Sequence, residues 1–420
     1  MAQVIKADEV HLSILTGPAG QSGRKLTTWN GYRFTEDMFT PANSFEFSLA
    51  LTGGGQDQPP ESYVEAVCML TQPDAVVQLE MGGLLLGTGI IEEQYVGEDD
   101  AGIESIVISG LDPATVLLNN EVDPHLQISG DTTLPQVAEQ ILKPYRGNGI
   151  SFGIVADDQA NRSILSGKKI QSRKTVSTSK GTASLKLSGS APPNFNKATL
   201  AEVRPHPGET EWDFLERHAE NIGVLMYFTA QGDLAFIYPD YEQEEIFHLL
   251  RRRGPSNDGN IQSGGQTRSH NGTATSVHVL GRGSLYHRED PTTKHRTRTK
   301  KVKPKIQATA KTDRKFLWRR DRYLRDTNPT SNAEALRIAK RELALRNAHA
   351  KAWEYVLKEH RDERGFHYTV NTMCHLRDEV QRPIVDTSAF ITKRDVIRKE
   401  RGDSVSQTTL TLVPKNSIVL

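Results

Sequence analysis

The feature that most restricts what this chain can fold into is a strict two-residue alternation near its start. In Ser44–Leu51 (SFEFSLAL), Phe45, Phe47, Leu49 and Leu51 fall on one face of an extended backbone while the residues between them are polar or small. Further strand candidates are Tyr63–Leu70, Ala75–Leu79, Leu84–Glu92 and Glu104–Ser109. Gly53-Gly54-Gly55, Gln72-Pro73-Asp74, Gly82-Gly83 and the acidic run from Gly97 to Gly102 separate them. Short strands with a turn every 8–12 residues or so predict a sandwich or a barrel, and no helix is expected before Pro113.

The period then changes. Thr133 and Gln136 have the spacing of a capping box, and Leu134, Val137 and Ile141 form an apolar helical face that ends at Pro144. A β run, Ile150–Val155, follows. The same order recurs where Thr210 precedes Asp213. Trp212, Leu215, Ala219 and Ile222 make the stripe, Gly223 stops the helix, and strands Val224–Phe228 and Leu234–Tyr238 flank Gln231-Gly232. Between the two units, Asn161–Ser190 is rich in Ser and Lys and reads as a loop in preference to a solvated hairpin turning at Lys180-Gly181.

Beyond Arg251-Arg252-Arg253 comes a β run, Ala274–Leu280, then a basic segment, His287–Arg325. Ser331 and Glu334 form another capping-box spacing, which opens a helix to about Ala350. The expected closing strands are Trp353–Glu359, Phe366–Met373, Ser388–Ile397 and Ser406–Val413. The fold class is therefore β-rich α+β, with a β region on either side of an α/β region.

Charge is balanced over the chain, 52 Lys and Arg against 52 Asp and Glu, yet it is sorted by sign. Residues 1–250 hold 16 basic and 34 acidic side chains, a net of −18; residues 251–420 hold 36 and 18, a net of +18. Such sorting marks surfaces that attract each other or different partners, and it steers association rather than fold. Cys68 and Cys374 stand far apart without C-x-x-C spacing, so neither a disulfide framework nor a zinc ribbon is expected. No basic n-region with an apolar run follows Met1. The longest charge-free apolar stretch, Met81–Ile91, is about half a membrane span. The expectation is a soluble chain made in the cytoplasm, without membrane insertion.

Catalytic and ligand motifs are not found. In Gly17–Lys25, Arg24 separates Gly23 from the lysine and Leu26 stands where a P-loop has its hydroxyl, so a turn between strands is the better reading. His287 and His295, and His206 and His218, lack the spacing or the carboxylate neighbours of a metal site, and His278 reads as a hydrogen-bonded sheet histidine. No G-x-S-x-G elbow is present. Adjacent acids such as Glu92-Glu93 and Asp99-Asp100 point to opposite strand faces rather than across a cleft. No enzyme, cofactor or metal is expected.

The positive segment carries more. Between Arg251 and Asp326 there are 20 basic and 6 acidic residues. Within it, Lys311, Arg314, Lys315, Arg319, Arg320, Arg322 and Arg325 are interleaved with Phe316, Trp318 and Tyr323. Basic side chains neutralise phosphates while rings stack on unpaired bases, which suits a nucleic-acid surface. The alternative is that the rings anchor the segment to the core while its charges meet acidic protein. The equally strong acidic half tips the balance towards protein, with the two surfaces meeting between neighbouring subunits.

Glu202–Tyr238 (EVRPHPGETEWDFLERHAENIGVLMYFTAQGDLAFIY) resembles a segment of the baseplate hub proteins of contractile-tailed phages, the Mu-like type, and of the hub part of VgrG proteins. In that family a P-G-E-T helix leads into a β-hairpin. Phe45–Thr52, Ala66–Gly110, Asn260–Gly281, Arg341–Trp353 and Phe390–Pro414 are similar to other pieces of the family, in the family's order. Asn161–Ser190 and Tyr286–Asp326 have no counterpart, and Asp112-Pro113 departs from the family's pattern locally. The resemblance implies two tail-tube-like antiparallel β-barrel domains with an α/β domain between them: 1–112, 113–245 and 246–420. The hairpin 224–238 is free to join a barrel, and the last domain carries the basic insertion 286–326 and the helix 331–350. It further implies a homotrimer whose six barrels ring a central channel. That ring would meet a tail tube or tube-initiator protein on one side and a spike protein on the other, with baseplate wedge and tape-measure proteins nearby and DNA in transit. The location implied is the virion tail, assembled in the host cytoplasm.

Overall fold

The computed structural model describes residues 10–16, 24–26, 29, 31–50, 61–98, 104–126, 132–147, 149–156, 205–237, 239, 241–254, 259–269, 273–281, 306–312, 318–325, 329, 332–398 and 406–418. Asn161–Ser190, Gly53–Gly55, His287, His295 and Ser331 lie outside the described residues.

The first β region contains β1 (Val10–Thr16), β2 (Arg24–Leu26), β3 (Gly31–Asp37), β4 (Ser44–Ala50), α1 (Glu61–Leu70), β5 (Val76–Met81), β6 (Leu84–Glu98) and β7 (Glu104–Leu111). The alternation in β4 is realised: Phe45, Phe47 and Leu49 are buried, and Ser44 and Glu46 are exposed. One expectation fails. Tyr63–Leu70 is not a strand but most of helix α1, so a helix does precede Pro113. Its buried residues Val67 and Leu70 are three apart, with exposed Glu65 and Met69 between or beside them, and the Thr71 hydroxyl closes the helix by donating to the Val67 carbonyl at 2.8 Å. A short apolar run does not distinguish helix from strand by period alone.

The α/β region contains α2 (Ala114–Asn119), α3 (Leu134–Leu142), β8 (Ile154–Ala156), α4 (Glu211–Ile222), β9 (Leu225–Phe228) and β10 (Leu234–Ile237). Thr133 and Gln136 complete a reciprocal capping box on α3. Thr210 accepts from the Asp213 amide at 3.0 Å to start α4, and Gly223, at φ 81°, ends it in the left-handed region. Strand β8 begins at Ile154, later than the sequence suggests, because Phe152 has φ 45° and breaks the extended run. The hairpin β9–β10 pairs with β8 in its own three-stranded sheet rather than with the large one. Trp212 and Leu215 from α4 lie in the core of this region beside Phe152, Phe228 and Leu134; the Ile222 side chain is outside the described set.

The last region contains β11 (Phe247–Arg251), β12 (Ile261–Gln266), β13 (Ser276–Leu280), β14 (Gln307–Lys311), β15 (Asp321–Arg325), α5 (Asn332–His349), β16 (Trp353–Leu357), β17 (Thr372–Asp378), β18 (Val385–Arg398) and β19 (Ser406–Pro414). The expected strand Phe366–Met373 is displaced: the chain enters β17 only after Asn371, whose φ of 59° is left-handed, and the strand runs on to Asp378. Strands β13, β14 and β15 leave the main sheet and form a small sheet covered by α5.

The remaining strands of the two β regions form one 13-stranded sheet, and its order holds a repeat. In space, β3-β4-β7-β6-β5 is followed by the same path as β12-β16-β19-β18-β17, with all neighbours antiparallel in both. The chain visits the five strands of each module in the same sequence. A bulge between Ile91 and Glu93 in β6 has its match between Ile391 and Lys393 in β18. Asp74 and Asn371, both left-handed, precede β5 and β17, and their amides donate to the carbonyls of Ile91 and Ile391 at 2.8 and 2.9 Å. The sixth strands differ: β1 lies antiparallel to β5, whereas β11 lies parallel to β17.

The modules are fused by an antiparallel ladder between Lys393–Arg398 of β18 and Tyr32–Asp37 of β3. Val396 there enters the core of the first module. Arg394, buried, forms an ion pair with Glu36 at 2.7 Å, donates to the Tyr368 carbonyl at 2.6 Å and lies over the Phe34 ring.

Trp212→Ala should cost on the order of 3–5 kcal/mol in denaturant melts, because a side chain 1% exposed is removed from a filled core. A pH effect is expected at the module junction, where His367 contacts the Met81 carbonyl through Nε2 at 3.1 Å; burial, followed by the charge of Arg394, pushes its pKa down to about 4. The unfolded chain takes up that proton near the usual value of about 6.5, so this contribution is full above that pH and is lost as pH falls towards 4. The stability advantage of the wild type over His367→Gln should therefore shrink, by on the order of 2 kcal/mol, between pH 7 and 4.5.

Candidate functional site

The basic segment is not a loop laid on the surface. It supplies both outer strands of the small sheet, with β14 antiparallel and β15 parallel to the central β13. Alternation divides this sheet into two faces. Val277, Val279 and Ala310 are buried against Ala335, Ala339 and Leu343 of α5, with Ala308 and Leu324 packed at the margin. The opposite face carries three cross-strand rows: Lys311, Ser276 and Asp321; Thr309, His278 and Tyr323; Gln307, Leu280 and Arg325. Among the described residues, the small apolar side chains of β13 and β14, rather than the rings, hold the segment to α5.

The rings point elsewhere. Trp318 is 72% exposed and Tyr323 66% exposed, so the expectation that they anchor the segment to the core is overturned for these two. Lys311, Arg319, Arg322 and Arg325 are exposed, and Arg320 is half-buried. Register places Lys311 and Arg325 at opposite corners of the open face. Arg322 shares the helix-covered face with Val277, so the sheet does not bring it together with Tyr323. The backbone amide of Arg320 donates to the Thr275 hydroxyl at 2.8 Å, which fixes the start of β15. Arg314, Lys315 and Phe316 lie outside the described residues.

A chain of polar groups braces the open face. The Ser276 hydroxyl donates to Asp321 at 2.6 Å and sits 3.0 Å from His278 Nε2; Thr309 Oγ1 is 2.8 Å from His278 Nδ1. A serine has one proton to give. With it committed to Asp321, Ser276 accepts from His278, which fixes the Nε2–H tautomer and leaves Nδ1 to accept from Thr309 when the ring is neutral. The Tyr323 ring stacks on His278 at 4.6 Å between centroids and 12° between planes. The Ser276 hydrogen bond, followed by the charge of Arg319 at 2.5 Å, holds the Asp321 carboxyl below its usual range. This is the satisfied sheet histidine that the sequence suggests. It is not a nucleophile relay, since the acid contacts the serine and not the imidazole.

Among the described residues no group of three or more His, Cys, Asp or Glu is placed to hold a metal ion, and no helix is long and apolar enough to cross a membrane. Sequence reasoning missed a second feature. Met69 on α1 and Tyr95 and Val96 on β6 are large apolar side chains exposed by 61, 54 and 52%. The only signal for them is a Tyr-Val pair inside the acidic run 92–100.

Neither a family model nor a curated protein sequence matches the chain. Solved structures do match its fold along nearly its whole length. A tail protein from Neisseria meningitidis MC58 aligns with a TM-score of 0.68 at 16% identity, covering 99% of this chain and 98% of that one. The 43 kDa tail protein of prophage MuSo2 from Shewanella oneidensis aligns with a TM-score of 0.68 at 14% identity, covering 98% and 99%. A chain of the Francisella PdpA-VgrG complex aligns with a TM-score of 0.50 at 10% identity, covering 99% of this chain and 54% of that chain. The β-rich α+β architecture is thus one shared with phage tail proteins, as the sequence resemblance implies.

The polar brace yields a prediction. Ser276→Ala should leave His278 Nε2–H and Asp321 without their shared partner and cost about 1 kcal/mol. The readout is faster amide exchange at Val277 and Val279, with exchange in the large sheet unchanged.

Proposed function

We propose that the chain is a structural hub in the baseplate of a contractile phage tail: a homotrimer that adapts a hexameric tail tube to a trimeric spike around a central channel. The observation that carries this reading is the repeat. One chain holds two modules of the same strand order joined edge to edge, so three chains supply six modules. Six similar modules can face a six-fold tube while the chains keep the three-fold symmetry a spike needs. The likeness in fold to two tail proteins over their full lengths supports it.

On this reading the domains are 1–112, 113–245 and 246–420, with the small basic sheet and α5 carried as an insertion in the third. The partners are a second and third copy, a spike protein, a tube or tube-initiator protein, and baseplate wedge and tape-measure proteins. The location is the virion tail, assembled in the host cytoplasm, and the role requires no catalytic group. Native mass spectrometry with negative-stain microscopy tests it. The expected species has three times the 46.7 kDa of one chain and forms a ring with a central hole. A protein that stays monomeric at every concentration removes the reading.

A second reading, nucleic-acid binding, is favoured by one observation: Tyr323 is exposed on the same small sheet as Lys311 and Arg325, and Trp318 is exposed just ahead of its strand β15. Contacts of this kind are sequence-blind and would serve DNA in transit. Retention of single-stranded DNA at low salt should fall steeply as salt rises. Neutralising Lys311 or Arg325 should flatten the log–log slope by about one for each phosphate that the side chain neutralises in the wild type. Absence of retention at low salt eliminates it.

A further inference from the structure

The repeat makes the two modules comparable residue by residue, and one strand edge is left unaccounted for. Matched at their bulges, β6 and β18 differ by 300 in numbering, so Gln94 stands where Arg394 does and Val96 where Val396 does. The side chains agree: Gln94 Nε2 donates to the Cys68 carbonyl at 2.9 Å, as Arg394 donates to that of Tyr368, each reaching the segment that leads into the next strand. Residues 393–398 of β18 are paired on both edges, by β19 and by β3. Residues 93–98 of β6 are paired by β7 on one edge, and among the described strands nothing pairs with the other. Strand β12, the counterpart of β3, likewise ends the sheet: its described partner is β16 alone.

Burial shows what the open edge is missing. Val396, covered by β3, is 2% exposed; Val96, its counterpart, is 52% exposed, and its strand neighbour Tyr95 is 54% exposed. An open strand edge with apolar side chains is a template for another chain and a hazard unless it is used.

We propose that β6 residues 93–98 pair with β12 of a second copy of this chain, repeating between chains the ladder that β18 and β3 make within one. The register follows from the internal one. Gly264 opposes Tyr355 as Tyr32 opposes Phe47, and Tyr32 opposes Arg398. Hence Glu98 opposes Gly264 of the second copy, Val96 opposes Gln266 and Gln94 opposes Arg268. Gly264, at φ 123°, is a glycine because the Glu354 carbonyl of β16 lies where a Cβ would stand, so it serves the pairing inside the chain. Charge selects this partner over the alternative of like strands. Pairing β6 with β6 would set Glu93 against Glu98, whereas β12 has Arg268 just beyond its end and Arg251 beside it, donating to the Gly264 carbonyl at 3.0 Å. The contact is head-to-tail, so it forms a ring or a filament according to whether the rotation closes. Only the number of copies rests on the hub reading; the strand pair rests on the repeat.

The test uses the full chain in a Cys68→Ser background, since Cys68 lies next to this edge. Val96→Cys and Gln266→Cys are made singly and together, and assembled protein is oxidised with copper phenanthroline. Directly opposed residues of an antiparallel pair lie about 4.5–5.5 Å apart at Cα, within disulfide reach. The double variant should become covalently linked between chains, while each single variant should not show the same linkage. Val96→Lys, at a site exposed in the single chain, should fold normally and raise the concentration for half-assembly at least about tenfold. Assembly of the wild type with no linkage in the double variant, and no effect of Val96→Lys, overturns this strand pair and leaves the hub reading standing. A wild type that never assembles overturns both.

Discussion

The structure depends on the ladder between β18 and β3. Every strand end in a sheet leaves a row of backbone donors and acceptors that must be paired, covered or left to water. Here, the far half of β18 outruns β17 and would be such a row if β3 did not take it. Pairing there welds two separately packed cores, and Val396 crosses from the strands of one module into the core of the other. Arg394 is the specific element. Its buried guanidinium is matched by Glu36, by a carbonyl and by the Phe34 ring, an arrangement whose desolvation cost offsets much of its attraction. Its effect is therefore on register more than on net stability: a one-residue slip would bury both charges unpaired.

Local chemistry is legible in the sequence where a single element carries its own signal. The alternation of Ser44–Ala50, the reciprocal cap of Thr133 with Gln136 and the Thr210-to-Gly223 helix can each be read from a few neighbouring residues, because propensity and burial agree there. Helix α1 is not legible for the opposite reason. Ten residues with a mixed apolar run satisfy both periods, and what decides is the module core that Val67 and Leu70 reach. Asn371 is a similar case, since its left-handed turn is set by the bulge carbonyl it must meet and not by its flanks.

The repeat is hidden from sequence reasoning for a structural reason. Its best-matched pieces, Phe45–Leu49 (FEFSL) and Trp353–Leu357 (WEYVL), are five residues long and share only alternation, a glutamate and a leucine. The position that is a short turn between β3 and β4 in the first module holds the whole βββα unit between β12 and β16 in the second, so the period in sequence is destroyed while the period in space survives. The basic face has the same character. Composition alone identifies Lys311–Arg325 as basic and aromatic, but which side chains stand together is decided by pairing with β13, and that separates Arg322 from Tyr323.

The division of charge along the chain acquires a structural meaning from these edges. In the first module the margins carry Glu36 and Asp37 on β3, together with Arg33, and Glu93 on β6. In the second module they carry Lys393, Arg394 and Arg398 on β18, together with Asp395, and Arg268 just beyond β12. Within the chain these margins meet through Lys393 with Asp37 and Arg394 with Glu36, and through Arg33 with Asp395 in the opposite sense. Between chains, the strand pair proposed above would place the first module of one copy against the second module of the next. A net of −18 before residue 250 and +18 after it agrees with such an order. Uniform charge would permit any neighbour, and two similar modules would then have no means of keeping their places.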